Sequence, residues 1–152
     1  MADEKPQEKN ITIQKIYVKD MSFETPNSPN IFKEKWEPKI DMNINTEPKK
    51  LDDNLVEVIL TVTITVKLEE KTAYLCEIQQ AGIFGVQGFS DQEMGPVLGI
   101  YCPNTIFPFA RETVADLVNR GGFPQLMLVP VNFEAIYAQH MQKLQKGQKL
   151  DA

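Results

Sequence analysis

Histidine and cysteine are both scarce in this chain. Its 152 residues include one histidine, His140, and two cysteines, Cys76 and Cys102, which form no paired-cysteine motif. So few imidazoles and thiols argue against a zinc site and against a disulfide scaffold. A lone histidine without a nearby serine or cysteine motif also gives no basis for a catalytic triad. We therefore expect free thiols, no metal and no enzymatic site.

Positive net charge and long apolar runs are missing as well. Lysine and arginine number 16 against 21 acidic residues, so the formal charge is −5, which disfavours nonspecific binding to nucleic acid. No apolar stretch is long enough to cross a bilayer, and the first ten residues lack the apolar run of a secretory signal. The composition predicts a cytoplasmic protein with one domain over residues 11–146, a disordered tail over 1–10 and a short tail over 147–152.

The most regular pattern of the sequence lies between residues 55 and 84. Every even position from Val56 to Leu68 is apolar, and most odd positions hold Thr, Glu or Lys. Period-two alternation of β-branched residues predicts a strand with one buried face. A second strand follows after Glu69-Glu70-Lys71, and its even positions are again apolar near the turn. The sequence therefore predicts an antiparallel hairpin.

The register of this hairpin follows from its apolar positions, because a slip of one residue would turn every side chain to the other face. The pairs that share one face are Val66 with Tyr74, Ile64 with Cys76, and Val62 with Ile78. Such a register needs a connection with an odd residue count around Glu70. The absence of Gly and Asn there argues against a tight primed turn. We expect a connection of three or five residues.

Two more segments alternate in the first third of the chain. Residues 11–24 carry apolar side chains at both even and odd positions, and the even positions become acidic at Asp20 and Glu24. Residues 40–44 alternate between prolines 38 and 48, which predicts a short edge strand followed by a polar connector over 47–54. An apolar edge strand can pair with a second subunit or with an extended peptide.

The C-terminal half reads as irregular chain followed by helices. Residues 81–109 are rich in glycine and apolar side chains, and we expect irregular chain packed under the sheet, with a groove or an interface. A helix is predicted over 105–120, capped by Asn104 or Thr105 and ended by the glycines at 121–122. An extended connector over 123–131 then leads to a second helix that Asn132 caps.

Three long runs resemble a known family. They are IYVKDMSFETPN at 16–27, TAYLCEIQQAGIF at 72–84 and CPNTIFPFARETVADLVNRGGFPQLMLVPVNFEAIY at 102–137. They are similar to the SecB family of bacterial protein-export chaperones, over roughly residues 11–140. The resemblance implies an α+β fold, in which a four-stranded antiparallel sheet is followed by two helices. The strands would be residues 11–24, 35–46, 55–68 and 72–84.

The resemblance also implies a function. Members of the family are cytosolic homotetramers, built as dimers of dimers, in which the helix equivalent to 105–120 packs between dimers. They hold unfolded secretory precursors in an export-competent state and deliver them to the motor SecA. They have no ATPase activity and no cofactor. The expected partners are therefore unfolded precursors, SecA and further copies of the chain, with neither nucleic acid nor membrane insertion.

Three sets of site residues carry over by position. In the family an acidic sheet face receives the zinc-containing C-terminal segment of SecA, which here implies Asp20, Glu24, Leu75 and Glu77. Contacts between dimers fall on Cys76, Ile78 and Gln80. An apolar client groove is placed more loosely, around Phe23, Phe32, Trp36, Ile40, Met42, Ile44 and Phe84. The tail after Lys146 is shorter and less acidic than family tails can be, so its contribution to SecA binding is an open question.

Two other functions stay open from the sequence. A SecB-like chaperone could protect an antitoxin instead of serving export, and failure to bind SecA would favour that function. A small α+β enzyme or ligand carrier belongs to a different class, and a small molecule that raises the melting temperature would support it.

Overall fold

The computed structural model describes residues 8–150, with side chains to residue 147. A four-stranded antiparallel sheet in the order β1-β4-β3-β2 is followed by helices, which confirms the predicted fold class. The strands are β1 (Asn10–Glu24), β2 (Pro38–Asp52), β3 (Leu55–Leu68) and β4 (Lys71–Gln87). The helices are a 3-10 turn (Asn30–Lys33), α1 (Asp91–Pro96), a π-helical turn (Val97–Tyr101), α2 (Cys102–Arg120) and α3 (Phe133–Leu150).

The core lies between the sheet and α2. The even positions of β3 from Val58 to Val66 have no exposed surface, as their alternation predicts. They share one cluster with the apolar stripe of α2, which consists of Ile106, Ala110, Val114 and Val118. Each fully buried aliphatic side chain of this kind stabilises the fold by about 1.5–3 kcal/mol. We call this side of the sheet the helix-covered face and the other side the open face.

The β3–β4 hairpin has the predicted register and a different turn. Val66 pairs with Tyr74, Ile64 with Cys76 and Val62 with Ile78, so the register is confirmed. The expected connection of three or five residues is wrong, because Leu68 pairs with Lys71 across a two-residue turn. A register shift between Val66 and Lys67 absorbs the extra residue. This bulge restores the apolar alignment after a turn of even length.

Two bulges explain the mixed pattern of β1. The register with β4 shifts between Ile13 and Lys15 and again between Val18 and Asp20. Each shift exchanges the faces of even and odd positions. Apolar residues of both parities therefore reach the helix-covered face, namely Ile11, Ile13, Ile16, Val18, Met21 and Phe23.

Strand β2 is longer than the sequence predicted. It runs from Pro38 to Asp52, so the predicted end near residue 46 and the polar connector over 47–54 are wrong. Pro48 lies within the strand, opposite Val58. An edge strand tolerates proline because one side of its hydrogen-bond ladder is unpaired, and β2 is an edge strand as predicted.

Residues 81–109 are mostly strand and helix rather than irregular chain, with only residues 88–90 outside these elements, which corrects the prediction. β4 continues to Gln87, and α1 begins with a capping box. In this box the Ser90 hydroxyl accepts from the Glu93 amide at 3.2 Å, and the Glu93 carboxylate accepts from the Ser90 amide at 3.2 Å. Glycines misled the prediction because they serve close contacts between elements here rather than loop flexibility.

The remaining helix boundaries are partly as predicted. α2 starts at Cys102 without a capping side chain, because the π-helical turn leads directly into it, so capping by Asn104 or Thr105 is wrong. Gly121 ends α2 as expected. The connector after it has no regular structure and buries Phe123. The Asn132 side chain then accepts from the Ala135 amide at 3.0 Å, which confirms the predicted cap of α3.

The predicted tails fall partly outside the structure. Residues 1–7 and 151–152 lie outside the described residues. Residues 147–150, predicted as the start of a tail, continue α3. The division into one domain and two tails remains a prediction. None of the helices within residues 8–150 has the length and apolarity needed to span a membrane.

Candidate functional site

The strand register brings together the four residues expected to bind SecA. Glu24 lies opposite Leu75, and Glu77, two residues further along β4, lies opposite Ser22. Asp20 lies opposite Gln79, so it shares the same open face. All four side chains are exposed. We call this group, Asp20, Glu24, Leu75 and Glu77, the acidic surface.

The acidic surface combines charge with one apolar contact. Leu75, whose exposed fraction is 37%, lies opposite Glu24, and Glu77 and Asp20 follow in the next two rows of the same face. Such a surface attracts a basic segment over several ångströms and then offers it an apolar anchor. Within residues 8–150 there is no group of three or more His, Cys, Asp or Glu side chains that could hold a metal ion.

A second polar group on the open face is buried. Glu57 has only 6% of its surface exposed. Its carboxylate accepts hydrogen bonds from the Tyr17 hydroxyl and from Lys19 Nζ, the latter at 3.0 and 3.1 Å. No sequence pattern indicates this group, because the partners lie about forty positions apart and on different strands.

These contacts change how the group titrates. The hydrogen bond from Tyr17 is the main reason that the pKa of Glu57 lies below its ordinary value, and Lys19 acts in the same direction. Burial, together with the hydrogen bond to Glu57, raises the pKa of Tyr17 to about 12. Glu57 is therefore ionised and Tyr17 is neutral at neutral pH.

The predicted groove residues Phe23, Phe32 and Trp36 converge on one aromatic ring. Phe123, from the connector after α2, has its ring centroid 6.4 Å from Phe23, 5.1 Å from Phe32 and 5.9 Å from Trp36. It also lies 4.9 Å from Tyr74. The sequence analysis missed Phe123 and Tyr74 as members of this group, which we call the aromatic cluster.

The other groove residues continue along the edge strand. Ile40, Met42 and Ile44 lie opposite Val66, Ile64 and Val62, so they share the helix-covered face. Ile40 is half exposed and the other two are half-buried. Beyond Ile44 lies a cavity of about 300 Å³ between β2, the π-helical turn and α3. An apolar surface thus extends from the aromatic cluster along β2 towards α3.

Phe84 does not belong to this surface, which corrects its placement in the groove. It has no exposed surface and lies opposite Val56 and Ile13. Its even position on β4 points it into the core. A side chain with no exposed area cannot line a groove, so its contribution is to packing.

The three residues assigned to contacts between dimers are buried within the single chain. Cys76, Ile78 and Gln80 lie on the helix-covered face, and the Thr113 hydroxyl of α2 bonds Gln80 Oε1 at 3.3 Å. Burial raises the pKa of the Cys76 thiol to about 11, and both cysteines are free. The strand alternation places this set on the face opposite to the acidic surface. Its role in assembly remains a prediction.

Comparison with known sequences identifies one family. The family model for SecB, described as "Preprotein translocase subunit SecB", matches residues 4–144. The "Protein-export protein SecB" of Methylococcus capsulatus (strain Bath) is 60% identical over 147 residues, which cover 96% of this chain and 95% of the relative. The protein of the same name from Hydrogenovibrio crunogenus is 52% identical over 146 residues, covering 96% and 98% of the two chains.

A solved structure shares the fold at low identity. The SecB-like chaperone Rv1957 of Mycobacterium tuberculosis, in complex with a ChAD peptide from the HigA1 antitoxin Rv1956, aligns with a TM-score of 0.66. The alignment covers 80% of this chain and 91% of that chain, at 13% identity. This similarity therefore supports the architecture alone.

Proposed function

Since this chain belongs to the SecB family and is a protein-export chaperone, we propose that it binds unfolded secretory precursors in the cytosol and delivers them to the motor SecA. The single observation that carries the proposal is the separation of two surfaces. An apolar surface on the helix-covered side and an acidic surface on the open face can bind two different partners at once.

The apolar surface supports binding of unfolded chains. The aromatic cluster and Ile40 and Met42 of β2 give apolar area, and the connector adds Met127 and Val129, which are mostly exposed. Burial of apolar area does not depend on a particular sequence. The edge strand β2 also offers free backbone groups to an extended peptide. Methionine adapts to side chains of many shapes.

The same chemistry explains why folded proteins are rejected. Their apolar side chains are already buried and their backbone groups are already hydrogen-bonded, so they have little to offer this surface. An unfolded chain can make several modest contacts at once, and the effective concentration of its later segments raises the overall affinity. The proposed activity is binding and release, without a catalytic step.

The acidic surface supports docking of a basic partner. Asp20, Glu24 and Glu77 occupy the open face, on the opposite side of the sheet from the aromatic cluster. We assign this surface to SecA because the four residues match the positions that the family uses. A client and SecA therefore do not compete for the same face.

A homotetramer fits the same arrangement. The three assembly residues lie beneath α2, and the family packs the equivalent helix between dimers. These side chains would then act by setting the position of α2. Several copies would join their apolar surfaces and so bind a long client at several points.

Protection of an antitoxin is the weaker alternative. The solved structure whose description names an antitoxin peptide is similar to this chain in fold only, at 13% identity. The relatives with export names are 50–60% identical over nearly the whole chain. We therefore favour export.

A calorimetric titration tests the proposal. The protein is titrated with one secretory precursor in two forms, permanently unfolded and native. Tight binding of the unfolded form alone, with a negative heat-capacity change, is the expected result, because apolar burial dominates. If neither form binds, the chaperone proposal is wrong, and a search for a small ligand that raises the melting temperature becomes the next step.

A further inference from the structure

One row of the open face crosses all four strands and carries a charged side chain on three of them. Lys49 of β2 lies opposite Glu57 of β3, which lies opposite Ile83 of β4, and Ile83 lies opposite Lys15 of β1. Lys19 reaches into this row with its ammonium group. The buried carboxylate of Glu57 is therefore paired with Lys19 and lies opposite Lys49, while Lys15 is two strands away in the same row.

The acidic surface lies at a distance along the same face. Glu77 and Ile83 are six residues apart on β4, which corresponds to about 20 Å at roughly 3.4 Å per residue. Along β1 and β4, the open face has Lys15 near the row of Glu57 at one end and the carboxylates Asp20, Glu24 and Glu77 at the other. Lys39 and Lys67 lie on the same face of β2 and β3, beside the row of Leu75.

Lys19 is the lysine that could pair with the carboxylates of the acidic surface. It precedes Asp20 in the chain, and the bulge between Val18 and Asp20 places it next to that carboxylate. A long lysine side chain with free rotation would pair with the acidic surface for part of the time. Instead both oxygens of Glu57 hold Lys19 Nζ, at 3.0 and 3.1 Å.

Tyr17 makes this restraint durable. Its hydroxyl donates to the same carboxylate, which is buried and therefore poorly hydrated. Breaking a hydrogen bond to a buried carboxylate costs more free energy than breaking one to an exposed carboxylate, because water does not replace the lost partner. Glu57 consequently favours keeping Lys19 where it is.

We infer that Glu57 is a positioning residue for the acidic surface: by holding the Lys19 ammonium group, it keeps that cation away from the carboxylates Asp20, Glu24 and Glu77, which stay available to a basic partner. This inference rests on the proposed docking of SecA. It assigns a role in that docking to Glu57, Lys19 and Tyr17, which lie outside the acidic surface and outside the apolar surface. Glu57 keeps the positive charge of one lysine away from the acidic surface. Losing this restraint should therefore change the affinity for SecA and the salt dependence of that affinity.

The test compares SecA binding to the full-length protein and its variants at low and high ionic strength. Glu57→Gln should weaken SecA binding about fivefold at low salt and less at high salt, since screening removes the effect. Adding Lys19→Met to Glu57→Gln should restore affinity to near the native value, because the released cation is gone. The affinity for an unfolded client should stay unchanged in all variants.

Matched controls carry the same charge changes elsewhere. Asp53→Asn removes a negative charge as Glu57→Gln does, but in the β2–β3 turn. Lys50→Met removes a positive charge as Lys19→Met does, but on the helix-covered face of β2. Neither should alter SecA binding. If the double variant binds SecA as weakly as Glu57→Gln alone, or if Glu57→Gln binds normally, the inference is wrong. Should Glu57→Gln fail to fold, Lys19→Met alone decides, because lower affinity in that variant would contradict the inference.

A measurement without SecA separates this inference from the proposed function. In nitrogen-15 relaxation of lysine ammonium groups, Lys19 Nζ should be ordered in the native protein and become mobile in Glu57→Gln. An Nζ that is equally mobile in both proteins would overturn the inference. If the native protein does not bind SecA at all, the proposed docking fails, and this relaxation result alone decides whether Glu57 restrains Lys19.

Discussion

The ring of Tyr137 in α3 packs against Gly99 of the π-helical turn so closely that a Cβ at Gly99 would lie 2.5 Å from Tyr137 Cδ2. A Cβ at Gly95, one turn earlier, would collide with the Tyr137 hydroxyl. Much of the remaining apolar stripe of α3 is exposed, including Ile136 and Leu144. Two aromatic side chains therefore position α3: Phe133 is buried 6.0 Å from the ring of Phe107, and Tyr137 packs against the two glycines.

Gly99→Ala should displace α3 and lower the free energy of unfolding. The added methyl group forces the Tyr137 ring or the helix to move, which typically costs about 1–3 kcal/mol. The matched control is Gly147→Ala in α3, where no atom lies within 4 Å of the new Cβ and the change should stabilise by about 0.4–1 kcal/mol. Urea unfolding measures both, and equal stabilisation by the two substitutions would contradict the close packing.

Phe123→Ala should damage both stability and client binding. The side chain is buried at the centre of the aromatic cluster, so its loss should cost about 3–5 kcal/mol. Phe32→Ala is the comparison variant that separates client binding from stability, because Phe32 is half exposed and contacts the same ring. It should weaken binding of an unfolded client about three- to tenfold while changing stability far less. Calorimetry and thermal unfolding measure the two effects, and unchanged client affinity in both variants would rule out the cluster as a client site.

The fold could be predicted where one pattern dominates. In β3 and near the start of β4 the period-two alternation determines both the strands and their pairing, since only one register joins the two apolar sets. The turn was predicted wrongly because a bulge near Lys67 changes the residue count without changing the apolar alignment. In β1 the mixture of even and odd apolar positions was itself the sign of two bulges.

The candidate site could be predicted only in part, for a related reason. Asp20 and Glu24 share a face by spacing within one strand, and the resemblance to the family supplied Leu75 and Glu77. Phe123 and Glu57 depend on contacts between distant segments, which no local pattern encodes. Phe84 was misplaced because an aromatic residue beside glycines looks the same in sequence whether it lines a groove or fills the core.

Cys76→Tyr should convert the expected tetramer to a dimer. Cys76 has almost no exposed surface and lies opposite Phe23 and Ile64 on the helix-covered face. A tyrosine there would push α2 outward and so alter the helix that the family places between dimers. Light scattering should give half the native mass. Leu75→Tyr, one residue away on the open face, should leave the mass unchanged, and a native mass for folded Cys76→Tyr would refute this placement.

Stability should fall at both ends of the pH range through the Tyr17–Glu57 pair. The pKa of Glu57 is lowered in the folded chain, so its contribution is present above its ordinary value of 4.5 and is lost as the pH falls below it. The pKa of Tyr17 is raised from 10.0 to about 12, so its contribution is lost as the pH rises through that interval. Melting temperatures against pH should decline less steeply above pH 10 in Tyr17→Phe, although Tyr74 adds a similar alkaline loss. Identical alkaline slopes in the two proteins would contradict the assignment to Tyr17.

Glu77→Lys should separate the two proposed binding activities. Glu77 is exposed on the open face between Ser22 and Thr63, and the substitution replaces a carboxylate of the acidic surface by a cation. Repulsion of a basic partner should reduce SecA affinity by about tenfold or more, while an unfolded client, bound on the helix-covered side, should bind normally. Asp53→Lys makes the same charge change in the β2–β3 turn and should affect neither. Binding assays with SecA and with an unfolded precursor decide the matter, because equal loss of both activities in Glu77→Lys would mean that clients and SecA do not use separate faces.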